Sequence, residues 1–201
     1  MTTLFRVLLM VVMALAATGC LAYRGGRLPE GGVDEAAAAV APSDARKSIA
    51  VLIRINHSVN GKPVDLPDYI RDAWLAATLD AYRSSGLFSE VKRGSGSDTD
   101  LQAVVRIESE VIGSPAFSYL SAMSGLILPS RSRDRLSVRT IYSDGAGAVL
   151  GSYRSREVVT TWFQLLLLPA APFASRNRVV QSTIRDLSIA TNDRAHRRGI
   201  L

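Results

Sequence analysis

The chain contains a single cysteine, Cys20, and so has no second thiol with which to close a disulfide. Any fold it adopts must be held by apolar packing, even in a compartment that would permit disulfides. The residues after about position 47 are numerous enough to build one compact domain with its own core. The cysteine's position adds a second constraint. It closes the apolar run Val7 to Ala17 and the small residues Ala17-Thr18-Gly19, with Arg6 the one charge before it. That run is shorter than the ~20 apolar residues needed to span a bilayer and has the length of a signal-peptide core.

Residues 1–20 resemble the lipobox of bacterial prolipoproteins. The resemblance implies that the chain is cut between Gly19 and Cys20 and that the Cys20 thiol carries a diacylglycerol, the new amino group usually being acylated as well. Two or three acyl chains anchor a protein stably where one does so marginally. The enteric sorting rule retains lipoproteins with an aspartate after the cysteine in the inner membrane; here that residue is Leu21, which favours the outer membrane. The implied location is the periplasmic face of the outer membrane, with the membrane itself as one partner.

Removing residues 1–19 takes away one arginine and no acid, so the net charge falls from +6 to +5 with histidines neutral. For an exported lipoprotein the counter-charges are anionic headgroups and cell-wall carboxylates, and no nucleic-acid partner is expected. Residues 21–47 are rich in Gly, Ala and Pro without a sustained apolar period, and read as a flexible tether that follows the lipidated cysteine. This gives a signal peptide over 1–19, cysteine and tether over 20–47, and a periplasmic domain over 48–201.

Within that domain, Ser48 to Asn56 is an apolar, β-branched run of strand character. A polar loop is expected from His57 to Leu66. A helix follows from Pro67-Asp68 to about Ser85, with Ile70, Ala73, Trp74, Ala77 and Ala81 on one face and Gly86 as its stop. A short strand is expected over 87–92 and a turn over 94–100. Leu101, Ala103, Val105 and Ile107 then alternate with Gln102, Arg106 and Glu108, the pattern of a half-buried strand. Leu136 to Ser143 and Ala148 to Thr161 form a hairpin around Asp144-Gly145. A last helix covers about Arg178 to Thr191, with Val180, Ile184 and Leu187 inward, and residues 192–201 read as a frayed basic end. The order defines an α/β (α+β) two-layer sandwich, a mixed, mostly antiparallel sheet with helices on one face.

Residues 48–112 are similar to small periplasmic domains of other envelope proteins: the curli-secretion lipoprotein, the lipoprotein activators of penicillin-binding proteins, and the N-terminal domain of the Tol-system propeller protein. The strand IAVLIRI, the helix ending SSGLFSEV and the strand LQAVVRI carry the similarity. It implies a partner-binding role in an envelope assembly and assigns no functional residue.

The chemistry of the side chains points the same way. Only His57 and His196 could serve as imidazole catalysts, and no motif ties an acid or nucleophile to either. No metal-ligand spacing occurs, and no cofactor is expected. Residues 145–151 (GAGAVLG) superficially resemble a dinucleotide loop but have strand-forming residues on both sides, which a hairpin requires. Glu108 and Glu110 share one strand face with Arg106 and read as a solvated face. Two segments stand out for their apolarity, Ala116 to Pro129 and Trp162 to Phe173, each a leucine run closed by proline. They are read as core or as a shared surface for a partner or the membrane, with Leu126, Ile127, Leu128, Trp162, Leu165, Leu166 and Phe173 as the candidate apolar interaction residues. The expected function is non-enzymatic: a lipid-anchored protein that binds an envelope partner. An accessory lipoprotein of a transport or secretion system and an enzyme acting on cell wall or lipid are the alternatives.

Overall fold

Alternation of apolar and polar residues is clearest around Leu101, and it lies on the strand at the centre of the molecule. The computed structural model of the protein describes residues 20–25, 33–34, 46–96, 98–164 and 175–201. Among these are eight strands, β1 (Cys20–Arg24), β2 (Val33–Asp34), β3 (Lys47–Val59), β4 (Lys62–Pro63), β5 (Phe88–Arg93), β6 (Leu101–Gly113), β7 (Ser130–Asp144) and β8 (Val149–Phe163). Three helices accompany them: α1 (Asp68–Ser84), α2 (Pro115–Met123) and α3 (Arg176–Arg197). The sheet runs β1-β8-β7-β6-β3-β4, with β2 also on β8 and β5 also on β3. It stays open. The pairs β3–β5 and β3–β6 are parallel and the others antiparallel. Parallel pairing of β3 with β5 needs a crossover, which α1 supplies.

The expected fold class, a mixed, mostly antiparallel α/β sheet with helices on one face, is the one observed. Along β6 the odd positions Leu101, Ala103, Val105 and Ile107 are buried. In register with them on one face lie Ile49 and Val51 of β3 and Val138 and Tyr142 of β7. α1 and α3 pack on this face. α1 buries Trp74, Thr78, Leu79, Ala81 and Tyr82, so its contact stripe is turned from the expected one towards Leu79 and Tyr82. The reason is that α1 packs against α3 as well as the sheet, and a helix with two neighbours buries more than one stripe. Tyr82 and Tyr142 carry polar tips into the core. Tyr142 donates to Asn192 Oδ1 at 2.6 Å and Tyr82 to Thr140 Oγ1 at 3.4 Å. Burial pushes the Tyr82 hydroxyl up to about 12, so both rings act as neutral hydrogen-bonding core residues.

Four sequence expectations are corrected. His57 lies within β3, whose pairing with β6 continues to Val59; the loop begins at Asn60-Gly61, which have φ 50 and 76. The last helix runs on to Arg197, and Asn192, Ala195 and Ile200 are fully buried rather than frayed. The hairpin holds, but its loop is four residues long, and Gly147 (φ 86) rather than Gly145 takes the left-handed position. There the Asp144 carboxylate accepts from the backbone of Ala146 and Ala148 at 3.0 and 2.8 Å, an Asx arrangement that fixes the loop. Finally, residues 20–24 do not begin a tether. They form β1, antiparallel to β8 from Phe163 to Val159, with Ala22 buried. The open edge of β8 presents backbone donors and acceptors that need partners, and this five-residue segment provides them.

Candidate functional site

The register of the sheet gathers the sequence-singled residues at one end. Cys20 opposes Phe163, and Phe163 opposes Ser130, so the first residue of β1, the last of β8 and the first of β7 stand in one row. The segment Leu126-Ile127-Leu128-Pro129 leads directly into that row. Trp162 sits one residue away, half-buried, with the Arg131 guanidinium 5.5 Å from its ring centre and its Nε1–H directed at the Tyr23 hydroxyl at 3.4 Å. Leu165, Leu166 and Phe173 lie outside the described residues.

Between β6 and this row the chain forms α2, which sequence reading did not resolve as a helix. Ser114 caps it, accepting from Phe117 N–H, and Pro115 opens it. Beyond the cap, Ser118, Ser121 and Ser124 recur at helical spacing on the side that meets Ser130 and the following turn. Ser118 meets Ser130 at 3.3 Å, Ser121 donates to the Leu128 carbonyl at 2.7 Å, and Ser124 accepts from Leu128 N–H at 3.1 Å. With the serines inward, the apolar side chains point out. Phe117, Tyr119, Leu120, Met123, Ile127 and Leu128 are exposed, Met123 at 70 % and Ile127 at 68 %. The turn that follows is tight: Gly125 and Leu126 both have positive φ, 65 and 64. For leucine that conformation costs about 1–2 kcal/mol, and Leu126 N–H is held to the Ser121 carbonyl at 2.8 Å. The serine stripe was visible in the sequence; its inward direction was not.

At the same end, under the helices, His57, Ser109, Asp134 and Arg176 form a chain. Ser109 donates to Asp134 Oδ1 at 2.8 Å, and Asp134 Oδ2 accepts from Arg176 at 3.0 Å. Since the Ser109 proton is committed to Asp134, His57 Nδ1, 3.0 Å from Ser109 Oγ, is the donor in that contact. Hydrolytic triads set the imidazole between hydroxyl and carboxylate. Here the hydroxyl lies between the imidazole and the carboxylate, with its proton on the carboxylate side. Burial lowers the His57 pKa, opposed by the charge of Asp134, and the ring edge rests on Trp74. The arrangement is a partly buried polar strut that joins β3, β6, β7 and α3. His196 is in α3, remote in sequence from these groups. No group of His, Cys, Asp and Glu side chains among the described residues could hold a metal.

Glu157, 4 % exposed on the core side of β8, has an Oε2 with no hydrogen-bond partner among the described residues. Burial raises its pKa, with Arg24 opposing. A carboxyl raised in the fold is favoured in its neutral form, so its contribution is present below the unfolded value and is lost as pH rises through the folded one. Glu157→Gln is therefore expected to melt above the wild type at pH 7–8, with the difference closing near pH 4. A melting-temperature series across pH checks the sign.

Taken together, the open sheet and the one-sided helices define a two-layer α/β domain with an exposed apolar apron beside the row that begins with Cys20. No protein-family model matches this sequence, and no curated protein matches it. Among solved structures, the chain is similar to a PelC dodecamer from Paraburkholderia phytofirmans, at 14 % identity over 80 % of this chain and 94 % of that one, with a TM-score of 0.39. It is also similar to a minor lipoprotein from Acinetobacter baumannii, at 11 % identity over 77 % and 92 %, TM-score 0.38. A DUF4136 family protein from Bacteroides thetaiotaomicron agrees at 13 % identity over 83 % and 97 %, TM-score 0.29. These likenesses are loose, and no activity follows from them.

Proposed function

We propose that this protein is an envelope lipoprotein, held by lipid on Cys20 at the periplasmic face of the outer membrane, and that it works by binding an envelope protein partner rather than by catalysis. The observation that carries the reading is the outward apolar face of residues 117–128 beside the row that begins with Cys20. A contiguous exposed patch of large apolar side chains marks an interaction surface, and its serine-lined inner side keeps it from being interchangeable with core. No helix among the described residues is long and apolar enough to cross a membrane, so the N-terminal lipid is the attachment this reading invokes.

The test separates surface from core. Replacing Leu120, Met123 and Ile127 together by serine is expected to leave the melting temperature within about 3 °C of the wild type, since exposed positions contribute little to stability. The same variant should lose its crosslinked partner bands in intact cells. Burial of these residues in a core would instead cost several kcal/mol. A large fall in melting temperature, or an unchanged crosslinking pattern, contradicts the reading.

A further inference from the structure

Between β4 and β5 the edge of β3 is open. On the side away from β6, β5 pairs with β3 only as far as Val51, and β4 pairs with it only from Ser58. Two backbone bonds mark the ends of this gap. Gly94 N–H donates to the Val51 carbonyl at 2.9 Å, and Val64 N–H to the His57 carbonyl at 3.1 Å. In a strand the N–H and C=O of one residue point to the same side, and that side alternates along the chain. Val51 and His57 both face the gap, so Ile53 and Ile55 face it too, while Leu52, Arg54 and Asn56 turn theirs to β6. Two N–H and two C=O groups therefore stand on this edge with no strand opposite them among the described residues. From Val51 to His57 is six residue steps, about 20 Å.

Native sheets blunt an open edge with proline, lysine, a bulge or a covering segment. The stretch Leu52 to Asn56 has neither proline nor lysine, and its pairing with β6 runs without a bulge. Beside it lies a cleft of about 240 Å³ bounded by α1, with Ile53, Ile55 and Leu75 in its wall and Arg71 and Arg93 as its charged residues. Arg93 stands opposite Val51, at one end of the gap. Arg71 donates to the Leu66 carbonyl at 3.2 Å, two residues past Val64, and so lies at the other end; it also pairs with the exposed Asp68. The slot is apolar in the middle and has an arginine at each end.

We propose that this slot takes an extended acidic peptide segment of a protein partner, added as a strand to the open edge of β3. The backbone selects that class of occupant. Donors and acceptors alternating at strand spacing are matched by another extended polypeptide, and a sugar chain, a nucleic acid or a lipid headgroup carries no such array. Side chains select within the class. An apolar residue at the centre meets Ile53, Ile55 and Leu75, and acidic residues towards the ends meet Arg93 and Arg71, since guanidinium and carboxylate pair through strong, charge-assisted hydrogen bonds. The gap admits about four or five residues in strand conformation. The inference adds a second contact to a partner-binding protein; it rests on the register of β3 and not on the apolar apron or the lipid, so the two readings stand or fail separately.

The test follows amide hydrogen exchange by NMR on the full-length, isotope-labelled protein in neutral detergent. In the free protein the amides of Ile53 and Ile55 should exchange at least about tenfold faster than those of Leu52, Arg54 and Asn56, which face β6. The blocked pentapeptide Glu-Thr-Val-Thr-Glu should slow the first two about tenfold at saturation. It should also bind at least about tenfold more tightly than Lys-Thr-Val-Thr-Lys, a preference that Arg93→Glu should abolish without moving the melting temperature. Two N-methylated peptides, one modified at the valine and one at both threonines, direct their methyls to opposite sides of the strand. One should lose binding about tenfold or more and the other should keep it within about threefold. Ile53 and Ile55 amides already protected in the free protein would show that this chain or a second copy fills the slot, and overturn the proposal. So would equal binding of the acidic and basic peptides, or equal effects of the two methylation patterns. An Arg93→Glu protein that prefers the acidic peptide as before overturns it as well.

Discussion

A chain that begins at Ser48 is expected to melt roughly 5–10 °C below one that begins at Cys20, the shift that about 2–3 kcal/mol produces in a protein of this size. Sequence patterning alone predicts no loss, because residues 21–47 show no apolar period. The structure predicts one because β1 closes an edge. Removing it frees five residues of β8 from their partners, among them the buried Thr161 and Val159, which stand opposite Ala22 and Arg24. It also removes the guanidinium of Arg24, which is paired with Asp186 and donates to Ser182 of α3, joining sheet to helix. The same arginine is the opposite charge that offsets the burial of Glu157. Part of the loss should therefore be recovered in a Ser48-start chain that also carries Glu157→Gln. Calorimetry on the two soluble chains measures it. Equal melting temperatures would show that β1 is dispensable and that the tether reading describes those residues better.

The difference between the two expectations shows what patterning can and cannot read. β6 was legible because four alternating apolar residues on a central strand are buried on one face and solvated on the other. α1 and α3 were legible as helices for the same reason at a different period. β1 was not, since five residues are too few to show a period, and whether they pair depends on the far-off edge of β8. The C-terminal end was misread for a related reason. Asn192, Ala195 and Ile200 are small, polar or isolated in sequence, yet they sit where α3 meets Tyr142 and the end of the hairpin. Core membership there is conferred by tertiary position.

The same holds at the candidate site. Leu126, Ile127 and Leu128 were conspicuous as a run, but Phe117, Tyr119, Leu120 and Met123 draw attention only when the serines at helical spacing are seen to face inward. The open stretch of β3 is the clearest case. Ser48 to Asn56 reads as one apolar run, and nothing in it marks Ile53 and Ile55 as unpaired on one side. Register does so, because β5 leaves β3 after Val51 and β4 joins it only at Ser58. A shift of one residue against β6 would turn Ile53 and Ile55 from the core side to the outer face, so the slot depends on the same buried positions that fix the sheet.

The account rests on the lipid at Cys20, and Cys20→Ala tests it most directly. Expressed from the full precursor in a bacterium fed a clickable palmitate analogue, the wild-type chain should be labelled. It should also fractionate with the membranes and migrate as the form cut before Cys20. The variant should show none of the label, because the proposed acylation site is the thiol, and it should remain at precursor size, because a lipoprotein peptidase acts on a diacylated cysteine. Two or three acyl chains make the wild-type attachment stable, so the expected change in membrane fraction is close to complete. Label that persists on Cys20→Ala, or a wild-type chain that is cut but never labelled, would contradict the central claim.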